Sequence, residues 1–74
     1  MSRYKEWTNA WSGINHYLTK NGIIPDNNKV DNVRFWVDKY CNRMKFKGSR
    51  TDRILFVNEN WKQFKIFVDN AGQH

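Results

Sequence analysis

The sequence predicts a mainly α-helical domain with one small β-hairpin, a winged helix-turn-helix in the order helix, helix, wing hairpin, helix. Three observations predict it. Apolar residues recur every three or four positions in three separate stretches. That period is lost after Met44, where "KFKGSRTDRILF" reads as two short strands around a polar, Gly-containing turn. The basic residues concentrate on the second helix and on this hairpin.

The elements follow in order. Tyr4, Trp7, Trp11, Ile14 and Leu18 are spaced by three or four, which predicts an amphipathic helix from residue 3 to about 20, ended by Asn21-Gly22. Ile23 to Asp26 form a turn, with Pro25 preventing continuation of the helix. Asn28 is the N-cap of a second helix, and Asp31 sits near its positive end. Val30, Val33, Trp36, Val37, Tyr40, Cys41 and Met44 gather on one side of that helix, which runs to about Asn42 or Arg43. Lys45-Phe46-Lys47 and Arg53 to Val57 are the two strands of the wing. Asn58 then caps a third helix whose buried stripe is Trp61, Phe64, Phe67, Val68 and Ala71.

With 74 residues the chain is read as one domain, 1–74, and four Trp, five Phe and three Tyr supply the bulk for its core. A single cysteine makes no internal disulfide and fits a reducing compartment. No apolar run reaches the roughly 20 residues that span a bilayer, and the N-terminus has no signal-peptide core. The expectation is a cytoplasmic, nucleoid-associated protein of a bacterial cell, with no membrane partner.

The net charge of +6 is unevenly placed. Residues 1–33 hold four basic and three acidic side chains, and residues 54–74 hold two of each. Between them stand Arg34, Lys39, Arg43, Lys45, Lys47, Arg50 and Arg53 against Asp38 and Asp52, a local excess of five. Clustered charge of this kind attracts a polyanion and steers its approach; its alternative is a merely solvated basic surface. With Val33, Trp36, Val37 and Tyr40 inward, the opposite face of the second helix presents Asn28, Asp31, Asn32, Phe35, Lys39 and Asn42. Asn can pair with adenine and Phe can meet a thymine methyl, so this is the candidate recognition helix, Lys29 included, with Arg34 and Arg43 at its flanks for phosphates. Phe35 is either exposed for a partner or packed in a way the wheel does not show. On the wing, Lys45 and Lys47 face phosphates, Ser49 lies at the tip, and Arg50 and Arg53 suit a narrow minor groove.

"NVRFWV" at Asn32 to Val37, the basic hairpin, and "RILFVNENWKQF" from Arg53 to Phe64 resemble the excisionases, the small recombination directionality factors of phages and integrative elements, and the related MerR-type helix-turn-helix domains. Val33, Arg34, Trp36 and Val37 carry most of the resemblance, with Ile54 and Phe64 in support. The turn "NGIIPDNNK" is longer than the family's, and Arg34-Phe35 replaces its usual charged pair, so no base contact carries over. The resemblance implies a DNA-binding protein that is not an enzyme. Such a protein sits cooperatively beside a recombination site, bends the duplex and assists an integrase in excision; its partners are double-stranded DNA, an integrase and neighbouring copies. Regulation of a nearby promoter is the alternative within that class.

Catalysis finds no foothold in the residues. His16 and His74 are the two histidines and neither has metal-ligand spacing; Cys41 falls on the buried side of its helix; no phosphate loop or serine-histidine set is present. No cofactor, metal or small-molecule substrate is expected. A protein-binding module is the remaining class, since a basic patch also suits an acidic protein, with Trp7, Trp11 or Phe35 as anchors. The polar face of the last helix, Lys62, Gln63 and Lys65, is equally open to an integrase or a neighbouring copy.

Overall fold

Four helices, α1 (Arg3–Lys20), α2 (Lys29–Arg43), α3 (Arg50–Glu59) and α4 (Trp61–Ala71), make up the fold. The structure, a computed structural model, describes residues 3–21 and 29–71, with the side chains of residues 4–21 and 32–71. Among these there is no strand, so the winged helix-turn-helix is corrected: the expected second strand, Arg53 to Val57, lies in α3, and the expected first strand, Lys45-Phe46-Lys47, lies in the non-helical α2–α3 connection.

Its cause is local. Ser49 has extended backbone (φ −67°, ψ 170°) and its Oγ accepts the Asp52 N–H at 3.1 Å, which caps α3, while Asp52 places a carboxylate in the positive first turn. Arg53 N–H then closes on the Ser49 carbonyl at 2.9 Å and the helix is nucleated. Asn58, expected to cap the last helix, is an exposed residue inside α3. The break comes at Asn60, whose N–H is shared between the Phe56 and Val57 carbonyls at 3.0 and 3.1 Å and whose side-chain amide donates to Phe56 O at 2.9 Å. Asn60 O accepts the Phe64 N–H at 2.9 Å, so α4 starts without an intervening loop.

The end of α2 explains how the chain turns toward α3. Phe46 N–H reaches back to the Cys41 carbonyl at 2.9 Å and Lys45 N–H to Asn42 at 3.1 Å, a Schellman closure with Lys45 in the left-handed region at φ 58°. That position usually takes Gly. Phe46, freed from the helix axis, stacks on Phe56 of α3 with ring centres 4.2 Å apart. Gly48 lies where a Cβ would come to 3.0 Å from Asp52 Cβ and 3.1 Å from the Phe46 ring, so the close approach of loop to helix favours glycine.

α3 packs against both α1 and α2, and α1 and α2 also touch. Ile14 and Leu18 of α1, Val33 and Val37 of α2, and Ile54 and Val57 of α3 are buried between them. α4 adds Phe64 and Val68, both fully buried, and packs on α2 and α3. Tyr4, expected to begin the buried stripe of α1, is 73% exposed and stacks on Trp7; the stripe proper begins at Trp7 and Ala10. Tyr17 ties α1 to α4: its hydroxyl donates to the Asp69 carboxylate, and its ring meets Trp61 edge-on at 5.6 Å.

Two predictions come from this packing. Gly13 stands in the middle of exposed α1 backbone, and a methyl there would meet nothing within 4 Å. Gly13→Ala should therefore stabilise the protein by about 1 kcal/mol, read as a higher urea midpoint at unchanged slope; a lower midpoint would contradict the helix through residue 13. The second concerns alkali. Burial, then the Asp69 hydrogen bond and charge, push Tyr17 from 10.0 up to about 12, and burial above all pushes the Cys41 thiol from 9.0 up to about 11. Folding favours the protonated form of each, so this stability is complete below pH 9 and is lost as pH rises through 11 to 12. The melting temperature should fall over that window, and Tyr17→Phe should flatten the fall above pH 10, where tyrosine ordinarily titrates; equal slopes in the two proteins would refute the Tyr17 contribution.

Candidate nucleic-acid interface

With Val33, Trp36, Val37, Tyr40 and Cys41 committed to the core, α2 turns the opposite side to solvent. Arg34, Phe35, Lys39, Asn42 and Arg43 are all exposed there. The α2–α3 connection adds exposed Lys45 and Lys47, and α3 begins with exposed Arg50. Six cations thus face solvent along one continuous stretch of chain. The carboxylate within that stretch, Asp38, is occupied: its Oδ1 lies 3.0 Å from Arg53 Nε.

Phe35 is 51% exposed, yet it is not loose. Its ring meets Trp36 edge-on at 5.3 Å, and Lys39 Nζ lies 5.4 Å from its centre. The half that faces outward joins an apolar group to three neighbouring cations, Arg34, Lys39 and Arg43, on the same helix surface. Such a surface can neutralise phosphates and place a ring against a base methyl or sugar.

Three expected site residues stand elsewhere. Asn32 is 3% exposed and belongs to the interior, because it lies four positions before Trp36 and so shares that residue's side of the helix. Ser49 spends its Oγ on the Asp52 N–H as the α3 cap. Arg53 is a structural clamp: besides Asp38, which it meets by charge without a hydrogen bond from Nε, its Nη1 donates to Gly48 O at 2.8 Å. Its own carbonyl faces the Cys41 Sγ at 3.9 Å. Lys29 and Asp31 fall in the first turn of α2 by backbone alone, and Asn28 lies outside the described residues. Arg50 keeps its exposure although the wing that was to carry it is absent.

Among the described residues no three of His, Cys, Asp and Glu converge to hold a metal ion. Cys41 is 1% exposed, with a thiol raised well above neutrality, and His16 is exposed. No helix among the described residues is long and apolar enough to cross a membrane.

Comparison with known proteins found no match: no family model fits the chain, no curated protein is similar to it, and no solved structure matches it.

Arg50 and Arg53, both expected on the wing, differ in what they hold in the fold. Arg53→Ala removes the Gly48 bond and leaves Asp38 without its partner, and should cost about 1–2 kcal/mol after allowance for partial exposure of the pair. Arg50→Ala should change stability by less than about 0.5 kcal/mol. Urea unfolding of both variants checks this, and equal losses would remove the distinction between clamp and free cation.

Proposed function

We propose that the protein binds double-stranded DNA through the exposed face of α2 and the α2–α3 connection. The observation that supports this is the run of six exposed cations, Arg34, Lys39, Arg43, Lys45, Lys47 and Arg50, with the intervening Asp38 already paired to Arg53. A solvated surface needs no such segregation of sign, whereas a phosphate chain is matched by it. Phe35 and Asn42 are the side chains on this face suited to base edges; the phosphate contacts fall to the cations.

The narrower role is an accessory to recombination, acting with an integrase and with neighbouring copies on the DNA. It draws on the resemblance to excisionases through Val33, Arg34, Trp36 and Val37, and three of those four are core residues. A promoter regulator uses the same surface without bending the site, and an inhibitor that covers an acidic protein uses it without DNA. All three are non-enzymatic readings.

The test is a mobility-shift titration on the DNA flanking the gene, repeated over a range of salt and with the site permuted along the fragment. Binding should weaken linearly in log salt, and each of Arg34→Ala, Lys39→Ala, Arg43→Ala and Arg50→Ala should lower the slope by up to about 0.9. Lys20→Ala, at the C-terminal end of α1, should leave it alone. A bend accompanying cooperative shifts supports the recombination role, and specific binding without a bend supports regulation. Absence of binding even at low salt overturns the nucleic-acid reading in favour of an acidic protein partner.

A further inference from the structure

α1, α2 and α3 meet around an apolar cleft of about 330 Å³. Trp7 and Trp11 supply its aromatic side, and Val33, Val37 and Ile54 supply its aliphatic side. Arg34 and Arg50, from two different helices, line the same cleft and are exposed to solvent. Thr8 and Asp38 complete it, the latter with its carboxylate held 3.0 Å from Arg53 Nε. The indole N–H of Trp7 is shielded from water and has no hydrogen-bond partner.

We propose that this cleft is a binding site for a small apolar carboxylate, such as a bicyclic aromatic acid. Each part of the ligand answers a part of the site. Its volume lies at the lower end of the range for small-molecule pockets, and its lining is aromatic and aliphatic with few polar groups, which suits one compact hydrocarbon body. The two guanidinium groups select an anion, and a carboxylate matches their planar donor forks. Asp38 does not oppose that anion as a free charge would, because Arg53 already neutralises it. The proposal does not depend on DNA binding, although Arg34 and Arg50 belong to both surfaces.

The experiment follows the indole N–H resonances of the four tryptophans in the ¹⁵N-labelled protein, assigned by single Trp→Phe variants, during titration with 2-naphthoate and separately with 2-naphthalenemethanol. The alcohol has the same ring system and no charge. The expected result is saturable shifts of Trp7 and Trp11 with Trp61 unmoved, and about tenfold tighter binding of the acid, the worth of one net charge-assisted hydrogen bond. In the Arg34→Gln/Arg50→Gln double variant, whose changed residues are exposed and outside the core, acid and alcohol should bind alike. No saturable shift at millimolar 2-naphthoate overturns the site. Equal affinity of the wild-type protein for acid and alcohol, or a preference that survives in the double variant, overturns the assignment of the carboxylate to the arginines.

Discussion

The ring of Tyr40 is the contact on which the relation of α2 to α3 and α4 depends. It lies 5.9 Å from Phe56, 5.6 Å from Phe64 and 5.5 Å from Phe67, so a single side chain of α2 meets both later helices. From it the rings continue in three directions: through Phe56 to Phe46 in the connection, through Phe64 and Trp61 to Tyr17 of α1, and through Phe67 to Trp36 and Phe35. Helices of ten and eleven residues such as α3 and α4 are too short to persist alone in water. They hold because large flat side chains, with few rotamers to lose, contribute much contact area each. The exposed face of α2 inherits its geometry from this inner network, since Phe35 and Lys39 are oriented by the Trp36 ring beneath them.

What was legible in the sequence and what was not divide along a physical line. The bounds of α1 and α2 were readable because their apolar residues keep the helical period over four turns or more, with Asn21 at the end of the first. The misreading fell on "RILFV". A short continuous apolar run fits a strand and a buried helix equally, and β-branched and aromatic residues tilt the choice toward the strand. The opposing signals were present: Ser49 and Asp52 three apart make a capping box, and Ile54, Val57, Trp61, Phe64 and Val68 are spaced 3, 4, 3, 4 straight through Asn60. That stripe declares one helical register on both sides of the break, which is why α4 continues from α3 with no loop.

The candidate surface was legible as charge and illegible as geometry. Six of the seven cations between Arg34 and Arg53 are exposed, as clustering in sequence suggested. Sequence spacing could not reveal that the seventh, Arg53, would turn back to Asp38 and Gly48, since that depends on how α3 lies on α2. The cleft between Trp7, Trp11 and Ile54 was invisible for the same reason: it is made by three helices converging, and its apolar lining joins two core valines, two aromatic anchors and an isoleucine expected in a strand.

Cys41 gives the protein an internal gauge of its own integrity. Its sulfur lies on the side of α2 that faces α3, against the Arg53 carbonyl, and burial pushes the thiol from 9.0 up to about 11. At 1% exposure it is closed to reagents while α3 lies on α2, in the same packed layer that buries Val57 and sets Tyr40 against Phe56. Alkylation or oxidation at this atom is therefore scaled down by the small population of the opened form. Once modified, the sulfur no longer fits the space it left, so a passing excursion of the fold becomes a lasting chemical record.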